Sequence, residues 1–526
     1  MQDAQVALAT TLAEATTFQV SSHAVAKRAR FVFAAAIGFY VYALVLCAVF
    51  IGVGWGVIVL AQFASGGANG IFICAVLPVV VLCWGSALLI VWSLIPRYRR
   101  FKAPGQRLDL AGRPALYEVV ADVANRTGQR MPSEVYMHME VNASVTERGG
   151  IFGANKRRVL TLGLPLFSLL TVSQFKSLLT HEFGHFYWGD TRLGPWLHRS
   201  HEAIRNTIQL LHDIPYTAWI NLLLFGYAEW FVDITQDLVR KQEFLADQLA
   251  AKTTGREVTI EALQRMHVGE DAFDAYWRGT ITPMLWAGVR LPLLEGFRRF
   301  LAVQTISSAV VRQAGTHMKE DKTEEFDSHP ALPERVAALA HLPEGDLVPQ
   351  SADESCAVTL LGDPTEFETV FIGKILGKDK TANLKFVTWE DARTHAYIPM
   401  WEDTARTYAG GLEGVTPEAL PDLVKNLSTF GMALLKKSNQ PGDLESLSSR
   451  AGIAIGSALA LALLKAGWEL RVSPGEPVRA HRGDKRIEPF EVLGRLVARK
   501  LNADDWRAQC EEAGIAGVDL GRVTTH

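Results

Sequence analysis

The sequence predicts an α+β protein with a transmembrane helical hairpin at its N-terminal end, a mainly helical middle domain with a small antiparallel sheet, and an α-rich C-terminal domain. A long stretch without charged residues predicts the hairpin. Helix and strand patterns that occur together predict the middle domain. At 526 residues the chain is too long for one ordinary domain. We divide it into a cytoplasmic leader (1–30), two transmembrane helices (31–96), a middle domain (97–341), a linker (342–357) and a C-terminal domain of unknown role (358–526).

The composition argues against two classes of protein. The formal net charge is −3, and no basic cluster is large enough to follow a phosphate backbone, so we predict no nucleic-acid partner. The cysteines form no Cys-x-x-Cys pair, which argues against a disulfide framework and against a cysteine zinc site. We predict inert apolar thiols at Cys47, Cys74, Cys83, Cys356 and Cys510.

The stretch 31–96 contains no Asp, Glu, Lys, Arg or His. A helix needs about 20 apolar residues to cross a bilayer, and this stretch supplies two such spans, Phe31–Leu60 and Gly70–Ile95. The run is too long for a cleaved signal peptide. The alternative is a buried helical hairpin of a soluble protein. Basic residues flank both outer ends, so the positive-inside rule places both flanks in the cytoplasm.

The remaining elements follow from periodicity. Residues 114–127 have a helical pattern, with an apolar face formed by Leu116, Val119, Val120, Val123 and Ala124. The segments 135–139 and 159–162 are typical of strands, and residues 171–341 are mostly helical. Residues 451–466 are apolar but shorter than a membrane span, so we favour a buried helix over a membrane helix.

Candidate metal ligands occur in the segment His181-Glu182-Phe183-Gly184-His185. A spacing of four places both imidazoles on one face of a helix, where they can bind one metal ion. A carboxylate beside them can take a proton from water. Thr171 and Gln174 form a predicted capping box that starts the helix, and Gly189 and Asp190 are its predicted end, so the motif should lie in mid-helix. The alternative is a solvated helix face with two unrelated histidines.

A third ligand is offered by a later segment. Glu243 lies one helical turn before Asp247, and a second helix could supply the third protein ligand that a catalytic zinc site needs. This pattern fits an amphipathic surface helix equally well.

Four ordered segments together carry a family resemblance. They are 142–144 (Asn-Ala-Ser), 181–190 (His-Glu-Phe-Gly-His-Phe-Tyr-Trp-Gly-Asp), 240–247 (Arg-Lys-Gln-Glu-Phe-Leu-Ala-Asp) and 328–336 (Ser-His-Pro-Ala-Leu-Pro-Glu-Arg-Val). In this order they resemble the membrane zinc metallopeptidases of the HtpX and CAAX-prenyl endoprotease type, which are gluzincins. The resemblance covers about residues 20–341.

The resemblance implies roles for the matching residues. His181, His185 and Glu243 would bind one zinc ion per subunit, and Glu182 would be the general base. Asp247 would orient a histidine ligand. Asn142 and Ala143 would lie on an edge strand that pairs with the backbone of the substrate. His329 would stabilise the oxyanion or bind substrate, and the alternative is a histidine that only starts a helix. Arg335 follows six residues later, and we predict a structural role for it.

The sequence departs from this family between the two ligand segments. Relatives of this type usually have further membrane spans there, whereas this chain has one apolar stretch, Ile214–Ala228. Both ligand segments must lie on one side of the membrane, so a single short stretch cannot cross it. We expect a helix that lies in the interface, re-enters the membrane or covers the site, with a buried helix as the alternative.

The predicted function is a membrane-anchored zinc endopeptidase that acts on protein or peptide substrates, themselves membrane-associated. The resemblance favours a multi-pass protein of the bacterial inner membrane with its catalytic domain in the cytoplasm. The rival hypothesis is a catalytically silent membrane scaffold whose C-terminal domain binds a partner. A third hypothesis makes that domain an inhibitory or substrate-selecting module. The sequence does not predict the oligomeric state.

Overall fold

The computed structural model describes residues 22–65, 70–94, 103–148, 157–186, 204, 208, 218–320, 330–342, 353–438 and 447–523. Most of the predicted leader and linker lie outside these residues. So do the basic residues that follow the second predicted span, the predicted helix end at Gly189 and Asp190, and His329.

Two long apolar helices form an N-terminal hairpin: α1 (Ser22–Ser65) and α2 (Gly70–Leu94). They run side by side in opposite directions, because the Trp84 indole donates to the Ile51 carbonyl at 3.3 Å and Cys47 faces the Ala87 carbonyl. Within them, Ala34–Phe63 and Val76–Leu94 are long and apolar enough to cross a membrane. Most of their large apolar side chains point outward, as lipid-facing side chains would. The hairpin therefore supports a membrane protein.

A four-stranded sheet follows the hairpin, with strands in the order β1-β2-β4-β3. Its elements are β1 (Gln106–Leu108), α3 (Pro114–Arg126), β2 (Glu134–His138), β3 (Ala143–Arg148) and β4 (Arg157–Gly163). The prediction of an antiparallel sheet is wrong in part, because β2 and β4 are parallel while the two outer pairs are antiparallel. The last five residues of β4 are all buried, because β4 lies between two other strands. Side chains of β3, at the edge of the sheet, alternate between buried and more exposed. The apolar face predicted for α3 is buried in full.

The rest of the middle domain is helical. Its elements are α4 (Leu166–Leu169), α5 (Val172–Gly184), α6 (Ala218–Thr254), α7 (Arg256–Tyr276), α8 (Thr282–Trp286), β5 (Val289–Arg290), α9 (Leu293–Ala302), α10 (Gln304–Glu320) and α11 (Leu332–Ala340). One π-helical turn, Trp277–Ile281, joins α7 to α8. Apolar side chains of α3, the sheet, α5, α7 and α9 share one large hydrophobic core.

The same core continues beyond the predicted linker. The elements concerned are a 3₁₀ turn (Ala357–Leu360), α12 (Thr365–Leu376), α13 (Lys378–Ala382), β6 (Lys385–Phe386) and a second π-helical turn (Arg393–Tyr397). Phe367, Phe371 and Trp389 are buried in this core together with the middle domain. The division at 342–357 stays a prediction, but this packing favours a boundary near residue 400.

A second hydrophobic core occupies the C-terminal part of the chain. It is built by α14 (Ile398–Leu412), a 3₁₀ turn (Pro417–Ala419), α15 (Leu420–Val424), α16 (Leu427–Lys437), α17 (Leu447–Lys465), β7 (Glu469–Arg471), β8 (Arg479–Arg482), β9 (Lys485–Ile487), α18 (Val492–Val497), α19 (Ala503–Ala513) and a 3₁₀ turn (Leu520–Arg522). By length and composition α17 could also cross a membrane, but 67% of its apolar window is buried inside the protein. That burial agrees with the predicted buried helix.

The apolar stretch between the two ligand segments begins a single long helix. Its described part, 218–228, forms the first turns of the 37-residue helix α6. These turns pack beside the N-terminal hairpin, where Leu224, Ala228 and Phe231 share a core with side chains of α1 and α2. Their apolar face is buried against α1, so these turns lie along the hairpin.

Candidate metal centre

Helix α5 carries the candidate ligands, and its start is fixed by the predicted capping box. The Thr171 hydroxyl accepts from the backbone N–H of Gln174 at 3.3 Å, and the Gln174 side chain accepts from the Thr171 N–H at 3.1 Å. Two further N–H groups of the first turn need acceptors from outside the helix. Val172 and Ser173 find them in the carbonyls of Ser355 and Asp353, at 2.8 and 3.2 Å.

The motif lies at the end of α5, so the prediction of a mid-helix position is wrong. The helix ends at Gly184, and His185 is its C-cap, with φ −59° and ψ −14°. The chain turns there because the N–H of Phe186 donates to the Phe183 carbonyl at 3.0 Å, a three-residue bond that tightens the last turn. His185 keeps a helical backbone conformation, so both imidazoles still face the same side.

Close contact between α5 and α6 brings the later ligand segment to the histidines. A Cβ added to Gly184 would lie 3.1 Å from the backbone Cα of Ala246, so a larger residue would push the helices apart. Ala246 lies between Glu243 and Asp247 in α6, and both carboxylates are buried, with 4% and 1% of their surface exposed. The small residues at this crossing therefore position the acidic side chains beside the imidazoles.

The distances match a metal site. Nε2 of His181 lies 3.5 Å from one carboxylate oxygen of Glu243, and Nε2 of His185 lies 3.5 Å from the other. Zinc bonds of about 2.1 Å in tetrahedral geometry place neighbouring ligand atoms about 3.4 Å apart. The ligand atoms of Glu182 and the two histidines also lie within 4.8 Å of one another. Of the two glutamates, Glu243 is buried against both imidazoles, while Glu182 is partly exposed and reachable by water.

Asp247 and Arg335 support His181 from behind. An oxygen of Asp247 lies 2.9 Å from Nδ1 of His181, so this carboxylate contacts the ring on the side away from Nε2, which is directed at the metal position. The Arg335 guanidinium donates to both Asp247 oxygens, at 2.8 and 2.7 Å, and lies 4.0 Å from Glu243. Arg335 was predicted only as structural, and its place six residues after His329 is the one sequence signal that pointed to it.

The electrostatics of this cluster favour a bound cation. Burial lowers the pKa of His181, but hydrogen bonds to Asp247 and Glu243 outweigh burial and raise that pKa to about 10. Burial raises the pKa of Asp247, but the Arg335 charge and hydrogen bond lower it below its usual value. The Asp247 carboxylate thus stays charged, and the negative potential that retains a proton on His181 also favours a metal ion.

The predicted substrate residues lie at the edge of the sheet. Ala143 begins β3, which pairs with β4 on one side and with no described strand on the other, and β3 lies against α5. Asn142 precedes the strand, and its carbonyl accepts from the Gly163 N–H at 2.8 Å. The roles of Asn142 and Ala143 stay predictions, and so does the role of His329, which lies outside the described residues.

Comparison with known proteins gives one match. The model of a known family, Peptidase family M48, matches residues 112–342, which is less than half of the chain. No curated protein matches, and no solved structure matches. The matched segment contains both candidate histidines, Glu243, Asp247 and Arg335. The match therefore supports a metallopeptidase of this family, while the HtpX and CAAX-prenyl subtypes remain expectations from the resemblance.

Proposed function

We propose that this protein is a membrane-anchored zinc endopeptidase. The observation that supports it best is the position of the Glu243 carboxylate, whose two oxygens each lie 3.5 Å from one histidine Nε2. His181, His185 and Glu243 form the proposed ligand set, and nitrogen and carboxylate ligands of this number are typical of a catalytic zinc site with an open position. A zinc ion held there would polarise a scissile carbonyl and make water more acidic.

Different side chains of the protein would transfer the proton, orient the metal ligand and bind the substrate. Glu182 is placed to take a proton from the attacking water and to return it to the leaving amine. Asp247, held by Arg335, keeps Nδ1 of His181 protonated, so that Nε2 remains a ligand. The free edge of β3 would receive the substrate backbone as an added strand, with Asn142 and Ala143 at its start. His329 would bind the oxyanion or the substrate.

Membrane anchoring and location are part of the proposal. The hairpin of α1 and α2 would span the bilayer, and the basic residues flanking it favour a cytoplasmic catalytic domain. The resemblance extends this to a bacterial inner membrane and to membrane-associated protein substrates. The C-terminal core would then lie on the same side as the metal site, where it could select substrates.

The test compares the full-length wild type with Glu182→Gln. Both proteins should retain about one zinc ion per chain by elemental analysis, because Glu182 is not among the proposed ligands. Casein cleavage by the variant should fall at least about a hundredfold, since general acid–base catalysis contributes about 10²–10⁴ in rate. A third protein, Glu243→Gln, should lose zinc as well as activity. Equal cleavage by wild type and Glu182→Gln would refute the mechanism, and a wild type without metal or activity would favour the scaffold hypothesis.

A further inference from the structure

Helix α6 can be placed relative to the membrane surface through its contacts with α1. The apolar span of α1 begins at Ala34. The Tyr227 hydroxyl of α6 donates to the neighbouring Ala35 carbonyl at 2.7 Å, and a Cβ added to Gly38 would collide with that hydroxyl. Deeper along α1, the Tyr42 hydroxyl donates to the Leu223 carbonyl of α6 at 3.1 Å. Tyr227 therefore lies at the level where α1 enters the bilayer, and Leu223 lies below it.

The side chains of α6 agree with this level. Leu222, Leu223 and Phe225 expose apolar surface on the membrane side of Tyr227. Trp230 is an exposed aromatic residue close to the boundary, as is common at membrane interfaces, and Glu229 is the first acidic residue beyond it. Contacts and chemistry thus place the membrane surface between Tyr227 and Trp230.

From this surface α6 runs without interruption to the metal ligands. Glu243 lies sixteen positions after Tyr227, and both belong to the helix Ala218–Thr254. At about 1.5 Å per residue this is about 24 Å. A helix tilted by about 40°, the upper end of the usual range, would still rise by about 18 Å. The helix that supplies the third ligand therefore also fixes the height of the metal centre above the bilayer.

We propose that α6 acts as a spacer that restricts cleavage of membrane-anchored substrates to bonds about six or more residues outside their own membrane span. An extended chain covers about 3.3 Å per residue, so about six residues are needed to cover 18 Å and about seven to cover 24 Å. The substrate class is therefore a polypeptide with an apolar span and an unfolded segment on the side of the membrane that carries the metal ligands. This proposal rests on the proposed peptidase function, and it excludes cleavage within the bilayer.

The test uses full-length protein reconstituted in vesicles with a series of substrates. Each substrate has one apolar span, a Gly/Ser linker of 2, 4, 6, 8, 12 or 20 residues, and the same cleavable sequence, mapped beforehand from casein. A matched series replaces the span by a polar segment of equal length. Glu182→Gln is the background for both series, and cleavage is measured by gel.

The expected result is an onset of cleavage between linkers of about 4 and 8 residues, followed by a plateau. With the 2-residue linker the rate should fall at least about tenfold, because withdrawing even one leucine side chain from the bilayer has an effect of that size. The polar series should be cleaved equally at every length. Rapid cleavage of the anchored 2-residue substrate would overturn the spacer proposal. Failure to cleave the polar series above the Glu182→Gln background would instead count against the peptidase itself.

Discussion

Replacing Asp247 by asparagine changes the charge behind the metal centre while keeping the shape of the side chain. An oxygen of Asp247 lies 2.9 Å from Nδ1 of His181, and both of its oxygens accept from Arg335 nitrogens, at 2.8 and 2.7 Å. Asparagine has one acceptor oxygen instead of two, so it cannot serve both partners, and its amide nitrogen would face a donor. We therefore expect His181 to lose its fixed orientation in the Asp247→Asn variant.

The Asp247→Asn variant should lose both zinc affinity and stability, and the loss of stability depends on Glu243, the second carboxylate near Arg335. Loss of a group that orients a metal ligand weakens metal binding about 10–100-fold, which is about 1.4–2.7 kcal/mol. Breaking a buried ion pair also destabilises the fold, by about 3–5 kcal/mol when the remaining charge has no partner. Arg335 remains 4.0 Å from Glu243. Because the arginine keeps this partner, we expect a loss of stability of about 3 kcal/mol, the lower end of the range for a broken ion pair.

The assay is zinc competition against a fluorescent chelator, combined with thermal unfolding of the metal-free protein. Asp274→Asn is the matched control, because Asp274 also pairs with an arginine, Arg278, but both side chains are about half exposed or more. Exposed pairs contribute about 0–1 kcal/mol, so the control should bind zinc as the wild type does. A folded Asp247→Asn variant whose zinc affinity stays within twofold of wild type would refute this account of the site.

Three further substitutions test the helix contact at the metal site, a buried carboxyl group of the first core, and the C-terminal core. Gly184→Ala should weaken zinc binding, because the added methyl would lie 3.1 Å from backbone of the facing helix; Gly452→Ala, where nothing lies within 4 Å, should bind zinc as the wild type does. Burial raises the pKa of the Glu368 carboxyl, so its ionisation lowers stability as the pH rises above its unfolded-state pKa. Glu368→Gln should therefore become more thermally stable than wild type as the pH rises above that unfolded-state pKa, unlike the exposed Glu366→Gln. No gain would contradict this. Trp506→Ala should destabilise the C-terminal core by about 3–5 kcal/mol, seen as faster proteolysis of that part, whereas an unchanged digestion pattern would show that the core does not depend on it.

Local patterns predicted the elements well where a single segment carries the information. The apolar face of α3 needed only a helical period, and the start of α5 needed only a threonine followed three residues later by glutamine. The strand order of the sheet was harder to predict. Strand β3 follows β2 in the sequence but lies at the edge of the sheet, and β4 lies between them. Periodicity within a strand carries no information on its neighbours, so the parallel pair could not be predicted.

The long helix α6 shows the same limit. Its apolar part and its acidic part differ in composition, so the sequence separated them into a membrane-related stretch and a ligand segment. Only the structure shows that the two parts form one continuous helix. Contacts of Tyr227 and Leu223 with α1 hold this helix beside the hairpin. The extension of the first core through residues 357–396 was missed for a related reason, since the prolines and charges before residue 357 resemble a linker.

The sequence by itself predicted a metal site, because a histidine pair at a spacing of four beside a glutamate restricts both geometry and ligand type. It also determined the apolar hairpin, since the length of an uncharged segment is a local property. Tertiary structure decided which acidic side chain reaches both histidines, and it assigned Arg335 to Asp247. These contacts join residues of three separate helices. They depend on how closely α5 and α6 approach at Gly184, which no single segment encodes.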